Sequence, residues 1–203
     1  MNNNMEREIV PEGSKKPEEK KDILGDIYDL CEMLGMVTII VMLMFAFVAR
    51  LNIVDGHSMD QTLAHGQYLL VSDLFYTPTA GDIVVVHDQT AAPYDEPIVK
   101  RIIAVENQTV DIDFTTWTLT VDGKVVEESY RYLDPARFLR ADYPFPITVP
   151  EGEIFVLGDN RNNSADSRQE EIGTIDERCV VGKAVARIFP IDKITIFENP
   201  YEE

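Results

Sequence analysis

Residues 33–49 read MLGMVTIIVMLMFAFVA and include no charged side chain. Seventeen helical residues extend about 25 Å, slightly less than the ~30 Å hydrocarbon core of a bilayer. Flanking apolar residues such as Leu30 and Leu51 add length, and Arg50 can carry its charge to the interface. An apolar surface all round favours a membrane span over the core helix of a small domain. The sequence therefore predicts a transmembrane helix over residues 30–51.

Basic residues around this segment predict its orientation. Five lie before it, and after Arg50 the next one is Lys100. The five are Arg7, Lys15, Lys16, Lys20 and Lys21. The positive-inside rule then places residues 1–29, a partly disordered tail, in the cytosol and everything beyond the span outside the cell membrane. We predict an uncleaved single-pass anchor, because the preceding tail is long and acidic and residues 47–49 lack the small-x-small cleavage pattern.

The amino-acid composition limits which partners and sites the protein can have. The 203 residues carry 18 Lys and Arg against 36 Asp and Glu, a net charge of −18. Nucleic acid is excluded as a partner, because its phosphates must be met by basic side chains. The two cysteines, Cys31 and Cys179, lack the spacing of a zinc site and fall on opposite sides of the predicted membrane.

Beyond residue 51, β-branched runs alternate with turn residues, and no long helical pattern follows. Asp122 and Gly123 form a dipeptide typical of a two-residue hairpin turn. The predicted strands are residues 68–76, 82–87, 98–106, 109–113, 117–121, 124–127, 153–157, 179–188 and 194–197. The predicted fold is mainly β: an antiparallel β-sheet domain over residues 52–203 attached to one N-terminal transmembrane α-helix. Residues 107–150 are expected to form a peripheral hairpin region.

Ser58 is the candidate nucleophile. It lies a few residues beyond the predicted span, where a membrane-emerging peptide would arrive, although a serine in a plain turn is the simpler interpretation of this residue alone. The adjacent His57 would point to the opposite face of an extended chain and could not take the hydroxyl proton. His87 stands beside Asp88, so a Ser-His-Asp triad stays open.

Lys100 is the other candidate base. Strand alternation within residues 97–104 places Lys100 on the same face as Ile98 and Ile102. A lysine buried there would lose its solvation, and a pKa lowered from ~10.4 to about 7–8 is within the reach of burial. The same alternation also allows Arg101 to face inward and Lys100 to face solvent, and periodicity alone leaves both possibilities open.

A polar loop, GDNRNNSADSR at residues 158–168, follows the predicted strand 153–157. It contains both acidic and basic side chains, which indicates a functional site. A hydrogen-bonded turn held by an ion pair between Asp166 and Arg168 is the structural alternative.

Three stretches together resemble the type I signal peptidases (leader peptidases), a family of membrane-anchored Ser/Lys endopeptidases. They are SMDQTL at residues 58–63, KRII at residues 100–103 and the loop at residues 158–168. Residues 182–187 agree as well, and the stretches follow the family's order. Each motif is short, but the set behind an N-terminal anchor is specific.

The resemblance implies that Ser58 attacks the scissile carbonyl and that neutral Lys100 takes its proton. It implies that the Ser58 backbone N–H stabilises the oxyanion, whereas Gly56 stands where some members place a second hydroxyl donor. Ser164 is implied to orient the lysine amine by a hydrogen bond. Four further residues are implied to support the site: Asp159, Arg161, Asp166 and Arg168.

The implied partners are the signal peptides of secreted preproteins and the lipid bilayer, with no cofactor and no metal. The substrate would add as a strand between two segments, with shallow pockets for small residues. The segments are Ile53, Val54, Asp55 and Gly56 on one side and Ile98 and Val99 on the other.

Two positions depart from the family's pattern. Gln61 stands where proline is usual, and Ala104 stands where glycine is usual. Neither departure removes a reacting group, but both leave open a paralogue with narrowed substrate choice. A membrane-tethered acidic β domain that binds a partner without catalysis is the alternative from another class, and Ser58→Ala would separate it from the enzyme.

Overall fold

The computed structural model describes residues 23–87, 96–134, 137, 141–142 and 144–201. The chain divides into two compact units, Met1–Val41 and Met42–Glu203. The elements are α1 Ile23–Phe47, β1 Arg50–Ile53, β2 Tyr68–Ser72, β3 Ile83–Val86, β4 Ile98–Ala104, β5 Thr109–Asp113, β6 Thr118–Val121, β7 Lys124–Val125, β8 Ile147–Thr148, β9 Glu153–Leu157, β10 Ile175–Asp176, β11 Val180–Phe189 and β12 Thr195–Ile196, with short 3-10 helices at Glu177–Cys179 and Ile191–Lys193.

Helix α1 carries the apolar segment. Within the described part of the chain, it is the one helix long and apolar enough to cross a membrane, over Leu24–Phe45. It therefore fits a single-pass anchor. The predicted C-terminal bound of residue 51 was wrong: the helix ends at Phe47, and Arg50 and Leu51 belong to β1. Their backbones pair with β2, which requires an extended conformation.

The main sheet follows the order β1-β2-β11-β3-β4-β9-β10, and β12 pairs with β11. Every strand pair recorded in it is antiparallel, as predicted. β3 is buried along its whole length, and β4 is buried from Val99 onward. Continuous apolar runs such as IVVV are typical of strands covered on both faces. These two strands form the centre of the domain.

A second sheet, in the order β7-β6-β5-β8, uses residues 109–148. Its hairpin between β6 and β7 turns at Asp122 and Gly123, with φ of 51° and 72°. Two consecutive positive φ angles are the geometry of a type I′ turn, so the predicted hairpin is confirmed. The buried side of this sheet shares a core with Phe155 and Leu157 of β9.

The main sheet brings together three segments that are distant in sequence. They are the turn after β1, the start of β4 and the loop after β9. Val54, Met59 and Val99 share one buried apolar cluster, which ties the first segment to the second. Asn160 N–H donates to Ser58 O at 2.9 Å, which ties the first segment to the third. The candidate residues lie where these three segments meet.

Candidate active site

Ser58 and Lys100 are in direct contact. Lys100 Nζ lies 2.8 Å from Ser58 Oγ and also donates to Val99 O at 3.2 Å. Lys100 is 4% exposed and Arg101 is 3% exposed. Lys100 and Arg101 are therefore both buried, because both faces of β4 are covered at this point. Only one of the two had been expected to face the interior. The amine is hydrogen-bonded inside the protein and withdrawn from solvent.

Burial sets the acidity of the Lys100 amine. Loss of solvation disfavours the ammonium form and lowers its pKa from 10.5 to about 8. The carboxylates of Asp166 and Asp159 oppose this shift, and the Arg168 guanidinium adds to it. Because desolvation is the largest of these effects, about a tenth of the amine is neutral at pH 7 and about half at pH 8.

The turn that carries Ser58 is held by the loop after β9. Besides the bond from its backbone N–H, Asn160 donates from Nδ2 to His57 O at 3.0 Å. A side chain at Gly158 would place its Cβ 2.5 Å from Ser58 O and 2.2 Å from Ser164 Oγ. Only glycine permits so close an approach. Among the described residues, the Ser58 backbone N–H has no hydrogen-bond acceptor.

Asp159 is fully buried and joins this loop to β4. It accepts two hydrogen bonds from Arg101, at 2.9 Å from Nε and 2.7 Å from Nη2. Thr62 Oγ1 donates to the same carboxylate at 2.6 Å. A bidentate pair of this kind fixes both position and orientation. Asp159 is thus bound both to the strand of Lys100 and to the segment of Ser58.

Asp166 and Arg168 form the ion pair that the structural alternative foresaw, with Arg168 Nε 2.7 Å from Asp166 Oδ1. Gly158 N–H also donates to Asp166, at 3.0 Å. Burial alone would raise the pKa of Asp166, but these partners hold it below its ordinary range. The carboxylate stays ionised, and the pair closes the loop on itself.

Arg161 is the second buried cation of the loop. Its Nε donates to Gly158 O at 2.9 Å, and its guanidinium pairs with both carboxylate oxygens of Glu128. Both side chains are almost completely buried. Glu128 belongs to the segment after β7, 33 positions from Arg161, and was not among the predicted site residues. No local motif marks it, because its importance arises from a contact that only the fold creates.

The Ser164 hydroxyl does not make the bond that the resemblance implied. Ser164 is buried beside Gly158, yet its Oγ has no hydrogen-bond partner in good geometry among the described residues. It lies near enough to Asp166 to help lower the pKa of that carboxyl. Within the described part of the chain, the hydrogen bonds of Lys100 Nζ go to Ser58 and Val99 instead.

Neither histidine alternative is hydrogen-bonded to the Ser58 hydroxyl among the described residues. Among the described residues, no hydrogen bond or ion pair joins His87 to Ser58, and Asp88 lies outside the residues that the structure describes. His87 follows Val86, which pairs with Ile98 rather than with Lys100. The His57 ring faces Asp60, with Nδ1 to Oδ2 at 3.0 Å.

Two strand edges border the site. β1 pairs with β2 alone, and its continuation through Val54 bonds back to Gln67. β9 pairs with β4 only from Arg101 onward, so residues 98–100 pair with β3 alone. The segments expected to bind substrate, Ile53–Gly56 and Ile98–Val99, therefore each keep one edge without a partner strand in the described residues.

Gln61 has a backbone that proline cannot adopt. Its φ is 79°, whereas the proline ring holds φ near −65°. The turn after Ser58 thus differs in conformation, and not only in composition, from a turn containing proline. Ala104 is fully buried in the core shared with the second sheet, so its extra methyl group is accommodated.

The chain is similar to proteins of known family. The family model "Signal peptidase, peptidase S26" matches residues 27–189, which include α1 from residue 27 onward and every segment of the site. The chain belongs to this signal peptidase family. The family and the enzyme class that the sequence predicted, a serine endopeptidase of signal peptidase I type, are confirmed, and the alternative of a domain without catalysis loses its support.

Three relatives illustrate the similarity. Probable signal peptidase I-1 of Synechocystis sp. is 33% identical over 79% of this chain and 82% of the relative. Signal peptidase I of Bacillus licheniformis is 33% identical over 84% and 92%, respectively. Signal peptidase I of Leptolyngbya laminosa is 31% identical over 79% of each. The matches therefore extend over most of both chains.

Proposed function

We propose that this signal peptidase cleaves the signal peptides of exported preproteins with Ser58 as nucleophile and Lys100 as general base. The observation that carries the proposal is the 2.8 Å contact between Ser58 Oγ and a buried Lys100 amine with a pKa of about 8. A neutral amine within hydrogen-bond reach of a hydroxyl is the arrangement that general-base activation of serine requires.

The reaction proceeds in two halves. In the first half, Ser58 Oγ bonds to the scissile carbonyl carbon while its proton passes to Lys100 Nζ, and the resulting ammonium returns that proton to the leaving amine. In the second half, Lys100 takes a proton from water, and the water oxygen bonds to the carbonyl carbon of the acyl-enzyme. The ester bond to Ser58 Oγ then breaks, the Lys100 ammonium returns its proton to Ser58 Oγ, and the product acid is released and ionises. The free Ser58 N–H is the donor for the oxyanion in both halves.

The substrate binds in extended form between two free strand edges. Residues of the signal peptide after its apolar core add to Ile53–Gly56 on one side and to Ile98–Val99 on the other. Main-chain hydrogen bonds of this kind provide affinity largely independent of sequence, and side-chain pockets then select small residues. This mode suits an enzyme that processes many different signal peptides.

The proposed active site lies on the outer side of the membrane. The basic residues before α1 favour a cytosolic N-terminal side, so residues 52–203 act on the outer side of the membrane. Asp159, Arg161, Asp166 and Arg168 hold the loop that positions the dyad. Ser164 has a supporting role through the Asp166 side of the site rather than by orienting the amine.

The test is cleavage of a preprotein by the full chain in detergent or lipid vesicles. Ser58→Ala and Lys100→Arg should each abolish cleavage while leaving the fold intact, because arginine keeps the charge but cannot act as a base. His87→Ala is the matched control and should retain activity. Loss with His87→Ala and retention with Lys100→Arg would replace the dyad by a histidine-based mechanism.

A further inference from the structure

Residues 199–201, here called the tail segment, pack against the elements that hold Arg101. Asn199 is 9% exposed, and its side-chain amide makes three hydrogen bonds. Nδ2 donates to Ala80 O at 2.9 Å and to Asp82 Oδ1 at 3.0 Å, and Oδ1 accepts from Tyr201 N–H at 2.9 Å. A buried side-chain amide with this many partners fixes the backbone on both sides of it.

Asn199 sits directly against Gly81. A Cβ at Gly81 would lie 2.2 Å from Asn199 Oδ1, and the φ of Gly81 is +97°, so both space and conformation require glycine there. The carbonyl of Gly81 accepts a 2.7 Å hydrogen bond from Arg101 Nη1. The tail segment therefore holds in place the turn whose carbonyl accepts a hydrogen bond from the Arg101 guanidinium.

Tyr201 also supports Arg101 indirectly, through Tyr130. Its hydroxyl lies 2.5 Å from the hydroxyl of Tyr130, and the Tyr130 ring stacks under the Arg101 guanidinium at 3.9 Å from the ring centroid. Burial raises the pKa of both phenols, so each stays protonated and can share this hydrogen bond. A cation held over an aromatic face gains most when the site is desolvated, as it is here.

We propose that the tail segment is a positioning element of the active site. It orients Arg101 through Gly81 and Tyr130, and Arg101 in turn orients Asp159, whose neighbour Asn160 binds the Ser58 backbone. This inference rests on the proposed Ser58–Lys100 dyad. It adds two residues, Asn199 and Tyr201, that lie outside the three resembling stretches and do not contact the reacting atoms.

The electrostatic consequence can be measured. Loss of solvation lowers the pKa of Lys100, the Asp166 and Asp159 carboxylates raise it, and the Arg168 guanidinium lowers it. The Arg101 guanidinium pairs with Asp159 and so offsets the charge of that carboxylate. If Arg101 loses support, Asp159 is less well compensated and Lys100 holds its proton to higher pH. The acidic limb of the pH profile for kcat/KM should therefore move upward, while activity on the alkaline plateau is kept.

The experiment compares Tyr201→Phe and Asn199→Ala with the parent chain in preprotein cleavage from pH 6 to 10. Tyr201→Phe, which removes one hydroxyl, should move the acidic limb upward by about half a unit, or roughly threefold in kcat/KM at pH 7. Asn199→Ala should move it by about one unit. KM should stay constant, because the tail segment does not border the substrate edges.

A double-mutant cycle tests the route through the two phenols. Because the hydroxyls of Tyr130 and Tyr201 bond to each other, the double variant Tyr130→Phe/Tyr201→Phe should move the limb no further than either single change. Tyr68→Phe is the matched control: it removes a hydroxyl that has no partner among the described residues, and its profile should coincide with that of the parent.

Three outcomes would overturn the inference: unchanged profiles in both tail variants, an equal loss of kcat/KM at every pH, or additive effects of the two phenols. An equal loss would indicate fewer folded molecules rather than a displaced Arg101. Ser58→Ala in the same assay separates the two proposals. If it abolishes cleavage while the tail variants leave the limb in place, only the role of the tail segment fails.

Discussion

Lys100→Met is expected to inactivate the enzyme and at the same time to stabilise the fold. The folded amine has a pKa of about 8 against an ordinary value of 10.5. Below pH 8 both the folded and the unfolded chain carry the ammonium. Its poorer solvation in the folded chain lowers the free energy of unfolding by about 3 kcal/mol. Methionine removes that penalty but also loses the hydrogen bond to Ser58, worth about 1 kcal/mol. The net gain at pH 7 is about 2 kcal/mol.

The pH dependence of this gain identifies its cause. Between pH 8 and 10.5 the unfolded chain binds a proton at Lys100 that the folded chain does not, so the free energy of unfolding of the parent rises with pH. The difference between parent and Lys100→Met should therefore shrink over this range, vanish near about pH 10 and then change sign, because above that pH only the lost hydrogen bond to Ser58, worth about 1 kcal/mol, remains.

Urea unfolding of the full chain in detergent, at pH 7 and at intervals up to 10.5, provides the measurement. Lys183→Met is the control: Lys183 is ion-paired with the buried Asp82 at 2.7 Å, so its loss should destabilise the fold at pH 7. Two results would refute the claim that Lys100 is held desolvated. One is a Lys100→Met chain that is less stable than the parent at pH 7. The other is a difference in the free energy of unfolding that does not change with pH.

Three other predictions concern rate and stability. The acidic limb of kcat/KM for the parent chain should lie near pH 8, leaving about a tenth of the maximal rate at pH 7, and a flat profile from pH 6 to 9 would contradict a lysine base. Gln61→Pro should lower the midpoint of thermal unfolding, whereas Gln61→Gly should raise the stability by up to about 1 kcal/mol, because φ at this position is 79°; equal midpoints for the two variants would show that this φ is not retained. Glu128→Gln should destabilise the chain by about 3 kcal/mol in urea, because it leaves Arg161 buried without a counter-charge, whereas Glu127→Gln, at an exposed position, should change stability by less than about 0.5 kcal/mol.

Local sequence patterns predicted the elements that carry their own signal. β5 and β9 match their predicted bounds, and the turn at Asp122 and Gly123 forms as expected. The short strands β8 and β10 were not predicted, because two residues offer no periodicity and their pairing depends on a partner elsewhere. β1 was hidden by the apolar segment before it, since Leu51 suits a helix in a membrane as well as a strand edge.

The resembling stretches pointed to Ser58, Lys100 and the loop at residues 158–168, which the fold brings to one place. Their individual bonds could not be foreseen. Ser164 was expected at the amine and instead faces Asp166. Arg101 was weighed against Lys100, although both are buried, because alternation describes the two faces of a strand but not what covers them.

By itself, the order of residues determined an apolar segment long enough for a bilayer and a β-rich domain, since both follow from composition and short-range periodicity. The candidates Ser58 and Lys100 came from the resemblance of three short stretches to the signal peptidase family, because neither composition nor periodicity singles them out. Only the tertiary structure decided the acidity of Lys100, the burial of Glu128 against Arg161 and the contact of Tyr201 with Tyr130. These depend on solvent exclusion and on distances between residues far apart along the chain, neither of which a linear pattern encodes.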